Sequence, residues 1–116
     1  ACSASNFKNG GIYYFLKSHK DGIVKHELSY QPGTSQQIPK NYLKKKNYKK
    51  VYPNLKPGDC IFHHCEIIHG SNANHSSSNR IALVMSFKNK MAKVNKKRWK
   101  SYQKKLEKNL SFLRNT

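Results

Sequence analysis

The sequence predicts a mainly β fold followed by a basic amphipathic helix. Three observations favour this fold: two apolar runs with strand-like composition, a shorter one near the start of the chain, and an apolar stripe of helical period after residue 88. Asn, Gly, Pro and Asp residues typical of turns separate the apolar runs. With 116 residues, the chain is long enough for one domain with a modest core.

The first predicted strand covers residues 11–16, where aromatic and β-branched side chains follow the turn residues Asn9-Gly10. Residues 17–57 carry Pro and Gly turn signals, so we predict a loop with one short strand near residues 22–30. Residues 40–50 form a basic run with interspersed Tyr inside this segment. We interpret that run as a solvated loop.

Two further predicted strands flank a polar connection. Pro57-Gly58-Asp59 predicts a turn into residues 60–68, which are mostly apolar, and residues 80–87 read RIALVMSF. After residue 88, apolar side chains recur at spacings of three and four, which predicts a helix with a basic opposite face: Trp99, Tyr102, Leu106, Leu110 and Leu113. The predicted domains are therefore residues 1–88 and residues 89–116.

The net charge of +18 leaves two explanations open. One is a polyanionic partner such as nucleic acid or an anionic membrane. The other is a compositional bias toward Lys, which the excess of Lys over Arg favours because phosphate recognition would use the planar guanidinium of Arg. Three cysteines give no disulfide framework, and no apolar run approaches the roughly 20 residues of a membrane span. We predict a cytoplasmic protein without membrane insertion.

His69 and Arg80 are the first candidate site residues, because they lie eleven residues apart across the polar connection between two predicted strands. A histidine at the end of one strand and an arginine at the start of the next can face one pocket. Arg grips a carboxylate with two parallel hydrogen bonds, and the chain has only five acidic residues to occupy it otherwise. Ser71 could donate a hydroxyl hydrogen bond at the same place. The alternative for His69 is an ordinary hydrogen-bonded pocket residue.

Other histidines and cysteines near His69 give a weaker pattern. On an extended strand, His63 and His69 would share a face but lie about 20 Å apart, so they cannot bind one ion unless the strand breaks. Cys60, His63, His64 and Cys65 lack the ligand spacing of zinc sites. We interpret His63 and His64 as packing or pocket residues, and His19 and His75 as surface loop residues.

Several short segments resemble the C-terminal half of phytanoyl-CoA dioxygenase family proteins. The resemblance covers roughly residues 9–87, and its most specific part is the stretch HGSNANHSSSNR. The segments that carry it are Asn9-Gly10-Gly11, Ser18-His19-Lys20, Gly58-Asp59, His69-Gly70-Ser71, Asn74-His75-Ser76 and Arg80.

The resemblance implies an Fe(II)/2-oxoglutarate-dependent oxygenase built on a double-stranded β-helix, the jelly roll of cupin-like proteins. Residues 1–88 would form part of that fold. His69 would be the distal histidine of the two-His, one-carboxylate triad, while Arg80 and Ser71 would hold the distal carboxylate of 2-oxoglutarate. The implied cofactors are Fe(II) and 2-oxoglutarate. The implied partners are O2 and a small metabolite or acyl substrate, with no nucleic acid.

The chain departs from the family pattern in two places. The family's proximal His-x-Asp is expected before Asn9-Gly10, and no such triplet precedes that turn. We therefore expect a truncated chain that is inactive by itself. Leu16-Lys17 stands where the family has Pro-Gly before its Ser-His, so that turn is expected to differ. The alternative function is a small basic nucleic-acid-binding protein without catalysis.

Overall fold

The computed structural model describes residues 1–31 and 34–115. Its chain forms two compact units, Ala1–Ile23 with Lys46–Ser86, and Val24–Lys45 with Phe87–Thr116. The elements in chain order are β1 (Ile12–Phe15), a 3-10 helix (Ser18–Asp21), β2 (Glu27–Gln31), β3 (Thr34–Gln37), α1 (Lys40–Lys46), β4 (Lys50–Val51), β5 (His69–Ser71) and α2 (Lys96–Arg114). The proposed domain boundary near residue 88 stays a prediction.

Strand β1 is the centre of the first unit. It pairs antiparallel with β4 on one side and with β5 on the other. Tyr14 lies opposite Val51 in one pair and opposite His69 in the other. Tyr14 and Ile68 are both only 7% exposed, and they form the apolar core of this small sheet.

The predicted Asn9-Gly10 turn forms, and it packs closely on the chain that follows β5. Gly10 has a φ of +71°, and a Cβ placed on it would lie 2.7 Å from the carbonyl oxygen of Asn72. Any other residue would therefore clash with backbone as well as strain its own backbone. The buried Asn9 side chain accepts a hydrogen bond from the Asn6 N–H and donates one to the carbonyl of Ala4, both at 2.8 Å.

The second unit combines the antiparallel pair of β2 and β3 with α1 and α2. Helix α2 begins after Asn95, whose side chain accepts a hydrogen bond from the Arg98 N–H. Asn109 is the buried residue of this helix, at 2% exposure. It accepts a hydrogen bond from the Tyr30 N–H at 2.8 Å and donates one to the Thr34 carbonyl at 3.2 Å, so a polar side chain fixes the helix to both strands.

The predicted terminal helix is confirmed, but its apolar stripe is only partly covered. Trp99 and Leu110 are 52% and 42% exposed, while Tyr102 and Leu106 are half-buried. The helix face that meets the strands is centred on Asn109, one position away from Leu110. Within the described residues, no helix has both the length and the apolar character needed to cross a membrane.

The mainly β jelly roll is not confirmed. In the described part of the chain there are five short strands, arranged as one three-stranded and one two-stranded sheet. The strands predicted over residues 60–68 and 80–87 are wrong, because neither run is paired as a strand. A turn at residues 65–66 interrupts the first, and the side chains of residues 81–87 are exposed. The loop predicted over residues 40–50 is also wrong, since helix α1 and strand β4 lie there.

Candidate functional site

His69 is the first residue of β5, and its ring packs on the central strand of the sheet. The ring centres of His69 and Tyr14 are 5.9 Å apart, as expected for residues paired across two antiparallel strands. The side chain of His69 is exposed on the other side. Burial raises the pKa of the Tyr14 hydroxyl above its ordinary value of 10.0, so the ring that packs on His69 is uncharged.

The hydrogen bond of the His69 ring determines which ring nitrogen carries the proton and which keeps its lone pair. Nδ1 lies 2.9 Å from the carbonyl oxygen of Ile67. Because a carbonyl oxygen only accepts, Nδ1 carries the proton and Nε2 presents its lone pair to solvent. Metal-binding histidines commonly have this arrangement, with a backbone carbonyl fixing the tautomer.

The residue before His69 is held from two directions. The Ile68 N–H donates to the hydroxyl of Ser18 at 2.8 Å, and the Ile68 carbonyl accepts from the Phe15 N–H at 2.9 Å. Ser18 is completely buried. The serine of the Ser18-His19-Lys20 segment therefore positions the backbone next to the candidate metal ligand.

Ser71 is two residues after His69 on β5 and pairs with Ile12 of β1. Alternate residues of a strand project on the same face, so the side chains of His69 and Ser71 share one face of the sheet. Both are exposed. The structure thus brings these two predicted site residues together.

Arg80 is half-buried and lies outside any strand. Its two neighbours are tied to Ser3, whose hydroxyl accepts from the Ile81 N–H at 2.8 Å and donates to the Asn79 carbonyl at 3.3 Å. No carboxylate among residues 1–31 and 34–115 forms an ion pair with Arg80. The prediction that His69 and Arg80 lie on adjacent strands is wrong, and the hydrogen bonds and ring contacts of the described residues do not join Arg80 to His69 or Ser71.

His63 lies beside His69, which the spacing of the two residues along the chain did not indicate. Their ring centres are 5.1 Å apart in an edge-to-face arrangement, and the ring of His63 also packs on Tyr14 at 5.4 Å. The turn at residues 65–66, closed by the Ile67 N–H donating to the His64 carbonyl at 3.1 Å, returns the chain toward β1. Glu66 is the one acidic residue in residues 60–68, and it lies within this turn.

Two His-x-acid triplets occur after the Asn9-Gly10 turn and were missed as candidates. In His19-Lys20-Asp21, the carboxylate forms an ion pair with Lys46 at 2.8 Å and accepts from the Tyr48 hydroxyl. In His64-Cys65-Glu66, the Glu66 N–H donates to Nδ1 of His64. Neither triplet belongs to a group of three or more potential metal ligands among the described residues.

One buried atom in this region has no hydrogen-bond partner among the residues that the structure describes. It is Nδ1 of His19, whose ring packs on His64 with 5.5 Å between ring centres. His19 is half-buried, so the prediction of an exposed loop residue is wrong for it. His75 is exposed in the loop after β5, as predicted.

A family model described as phytanoyl-CoA dioxygenase matches residues 1–82, a stretch that includes His69, Ser71 and Arg80. The chain belongs to the phytanoyl-CoA dioxygenase family. The match ends before helix α2, so the terminal helix is outside the part that the family model describes. No curated protein and no solved structure matches the chain.

Phytanoyl-CoA dioxygenases are generally Fe(II)/2-oxoglutarate-dependent, so the donor set of this chain can be compared with what a two-His, one-carboxylate centre needs. Across residues 1–31 and 34–115, no group of three or more His, Cys, Asp or Glu side chains could hold a metal ion. His69 offers one free imidazole nitrogen, and Asp21 is engaged by Lys46 and Tyr48. The described residues do not fit a complete iron centre of this type.

Proposed function

We propose that this chain carries the co-substrate-binding part of an Fe(II)/2-oxoglutarate-dependent dioxygenase that hydroxylates a small metabolite or acyl substrate. In this proposal His69 is a metal ligand, and Arg80 and Ser71 bind the distal carboxylate of 2-oxoglutarate. The observation that carries the proposal is the family match over residues 1–82, which includes all three side chains. O2 and the organic substrate are the other reactants.

The chemistry of His69 supports its role in the proposal. Its Nδ1–H is committed to the Ile67 carbonyl and its Nε2 is free, so a metal ion would find a neutral imidazole in the correct tautomer. Strand pairing with Tyr14 and the hydrogen bond from Ile68 to Ser18 limit the movement of the backbone that carries the ring. A ligand that is held before the ion arrives loses less conformational freedom on binding.

The environment of Arg80 supports a role in anion binding. Its guanidinium has five N–H donors and no ion-pair partner in the described part of the chain, while its backbone neighbours are fixed to Ser3. A dicarboxylate such as 2-oxoglutarate would supply the missing acceptor with two parallel hydrogen bonds. The hydroxyl of Ser71 would add one donor to the same carboxylate.

We also propose that the 116 residues do not turn over 2-oxoglutarate by themselves. The reason is the donor set, because the described residues contain no group of three or more His, Cys, Asp or Glu side chains that could hold the iron. Succinate release from 2-oxoglutarate with Fe(II), ascorbate and O2 measures this directly. We expect no succinate above the rate without protein, and turnover that depends on His69 would contradict the proposal.

The co-substrate role is tested with Arg80→Lys, which keeps the positive charge and loses the two-pronged grip. Ligand-observed NMR titration of the 116-residue protein with 2-oxoglutarate measures the affinity. We expect the affinity to fall by about 30-fold to 1000-fold, which corresponds to about 2–4 kcal/mol for a disrupted charge pair.

The matched control is Arg98→Lys, the same substitution on helix α2 outside the family match. It should leave the titration unchanged. An affinity that is equal in wild type and Arg80→Lys, or lowered equally by both variants, would contradict the role of Arg80. Failure of the wild-type chain to bind 2-oxoglutarate would also contradict the proposal.

A further inference from the structure

We propose that His63 and His69 together form a two-imidazole binding site for a divalent transition-metal ion of the Ni(II), Cu(II) and Zn(II) class. The proposed function assigns His63 no role, so this site goes beyond it. The inference depends on the contacts of the first unit alone and does not require that the chain bind 2-oxoglutarate.

The chain path makes the pair possible. An uninterrupted strand would hold His63 and His69 about 20 Å apart. The turn at residues 65–66 instead reverses the chain, and it is closed by the hydrogen bond from the Ile67 N–H to the His64 carbonyl. The two rings consequently lie next to each other, and both pack on the ring of Tyr14.

The hydrogen bonds leave the same nitrogen free in both rings. Nδ1 of His69 lies 2.9 Å from the Ile67 carbonyl oxygen, and Nδ1 of His63 lies 3.2 Å from the His64 carbonyl oxygen. Each Nδ1 must therefore be the donor, and each Nε2 keeps its lone pair. These are the backbone contacts that orient metal-binding histidines.

The neighbouring His64 shows that this tautomer is not general in the region. Its Nδ1 accepts a hydrogen bond from the Glu66 N–H at 3.2 Å, so the proton of its neutral ring is on Nε2. A metal ion would have to displace either that proton or that hydrogen bond. The turn thus gives the two adjacent histidines different tautomers. Nε2 is free to coordinate in His63, whereas it carries the proton in His64.

The separation of the rings fits one shared ion. An ion about 2.0–2.1 Å from each Nε2 lies roughly 3 Å from each ring centre, so a tetrahedral angle at the ion places the centres about 5 Å apart. The observed separation of His63 and His69 is 5.1 Å. Both side chains are exposed, so rotation about their side-chain bonds is open to them and water can complete the coordination.

The ligand set selects the class of ion. Two neutral imidazoles without a carboxylate suit Ni(II), Cu(II) and Zn(II), whereas Mg(II) and Ca(II) need oxygen ligands. The three free cysteines of the chain are exposed and would compete for Zn(II) and react with Cu(II), which makes Ni(II) the better probe.

Calorimetric titration of the reduced 116-residue protein with Ni(II) tests the site. We expect the wild type to bind one Ni(II) ion per chain. The Ni(II) affinity should fall by about tenfold or more in His63→Ala and in His69→Ala. The double variant should bind more weakly than either single variant, but by less than the two single losses combined, because either substitution already destroys the chelate. His75→Ala, in the exposed loop after β5, is the matched control and should leave the affinity unchanged.

A measurement on the wild type guards against variants that fail to fold. In long-range 1H–15N spectra of the wild type with its three cysteines alkylated, a Zn(II) titration should shift the Nε2 resonances of His63 and His69 together while Nδ1 of both stays protonated. Unchanged Nε2 resonances, or a Ni(II) affinity that His63→Ala leaves intact, would overturn the inference. If Ni(II) binding is as expected but Arg80→Lys does not change the affinity for 2-oxoglutarate, the proposed function is rejected and the metal site is retained.

Discussion

Strand β1 and the segment of residues 80–87 are both rich in apolar and β-branched side chains, but they differ in what their backbones contact. Strand β1 has a hydrogen-bonded neighbour on each side, β4 and β5. In residues 80–87, the described backbone hydrogen bonds all involve Ile81, which is tied to residues 2–3. The apolar character of a segment is therefore not enough to make it a strand.

The exposure of the side chains follows from this difference. Tyr14 of β1 is 7% exposed, whereas Val84 and Phe87 are about as accessible as in an unfolded chain, at 80% and 81%. A strand gains stability when its side chains cover a neighbour's and its backbone groups find partners. Residues 81–87 have exposed side chains, and the described backbone hydrogen bonds of the segment are confined to Ile81, next to Arg80.

The largest effect that we expect concerns this contrast directly. Tyr14→Ala should lower the free energy of unfolding by about 3 kcal/mol, because it removes a buried ring that packs on His63 and His69. Phe87→Ala should change it by less than about 0.5 kcal/mol, since the ring is exposed. Urea unfolding followed by circular dichroism measures both values.

Tyr14→Phe serves as the companion variant, because it keeps the ring and removes only the hydroxyl. It should remain within about 1 kcal/mol of the wild type, the range of one ordinary hydrogen bond. Equal losses from Tyr14→Ala and Phe87→Ala would show that residues 80–87 are packed in solution as firmly as β1, and the contrast between the two regions would be lost.

The same contrast explains which parts of the fold could be predicted from the sequence. The Asn9-Gly10 turn, β1 and the terminal helix depend on local signals: positive φ at Gly10, β-branched and aromatic residues, and a 3.6-residue period. The pairing of β1 with β4 and β5 joins residues far apart in the chain, and nothing local specifies it. Residues 60–68 and 80–87 carry the local signal of strands, but neither run forms a strand in the described part of the chain.

The candidate site could be predicted only in part, for a related reason. His69, Ser71 and Arg80 were found because they belong to a short segment with a recognisable pattern, and the family match includes that segment. The approach of His63 to His69 depends on a turn at residues 65–66 that contains neither Gly nor Pro. A rule that assumes an extended strand places the two rings far apart.

The second prediction extends the contrast to the terminal helix. It asks whether the polar side chain of Asn109 or the apolar stripe contributes more to holding α2 on β2 and β3. Asn109→Ala should cost about 2 kcal/mol, because it leaves the Tyr30 N–H and the Thr34 carbonyl without their partner. Trp99→Ala should cost less than about 1 kcal/mol, since its ring is half exposed. Thermal unfolding followed by far-ultraviolet circular dichroism compares the two variants. A larger loss from Trp99→Ala would show that the apolar stripe, and not Asn109, is the main anchor of the helix.

The smallest effect concerns the turn that leaves β1, where Lys17 replaces the glycine of the family pattern. Lys17 has a φ of 63°, so the chain keeps a left-handed turn at this position with a residue that is strained there. Lys17→Gly should therefore stabilise the protein, by about 1 kcal/mol at most, because the left-handed strain of about 1–2 kcal/mol is partly offset by the entropy that glycine loses on folding.

Lys20→Gly is the control for this turn, because Lys20 lies in the adjacent 3-10 helix and is not among the residues with positive φ. It should destabilise the protein by about 0.5–1 kcal/mol through the same entropy. Opposite signs in urea unfolding would show that the backbone at Lys17 is the strained point. Losses of equal size from both variants would mean that the turn before Ser18 does not need a left-handed residue. The hydrogen bond between the Ser18 hydroxyl and the Ile68 N–H, next to His69, would then form without a left-handed residue at position 17.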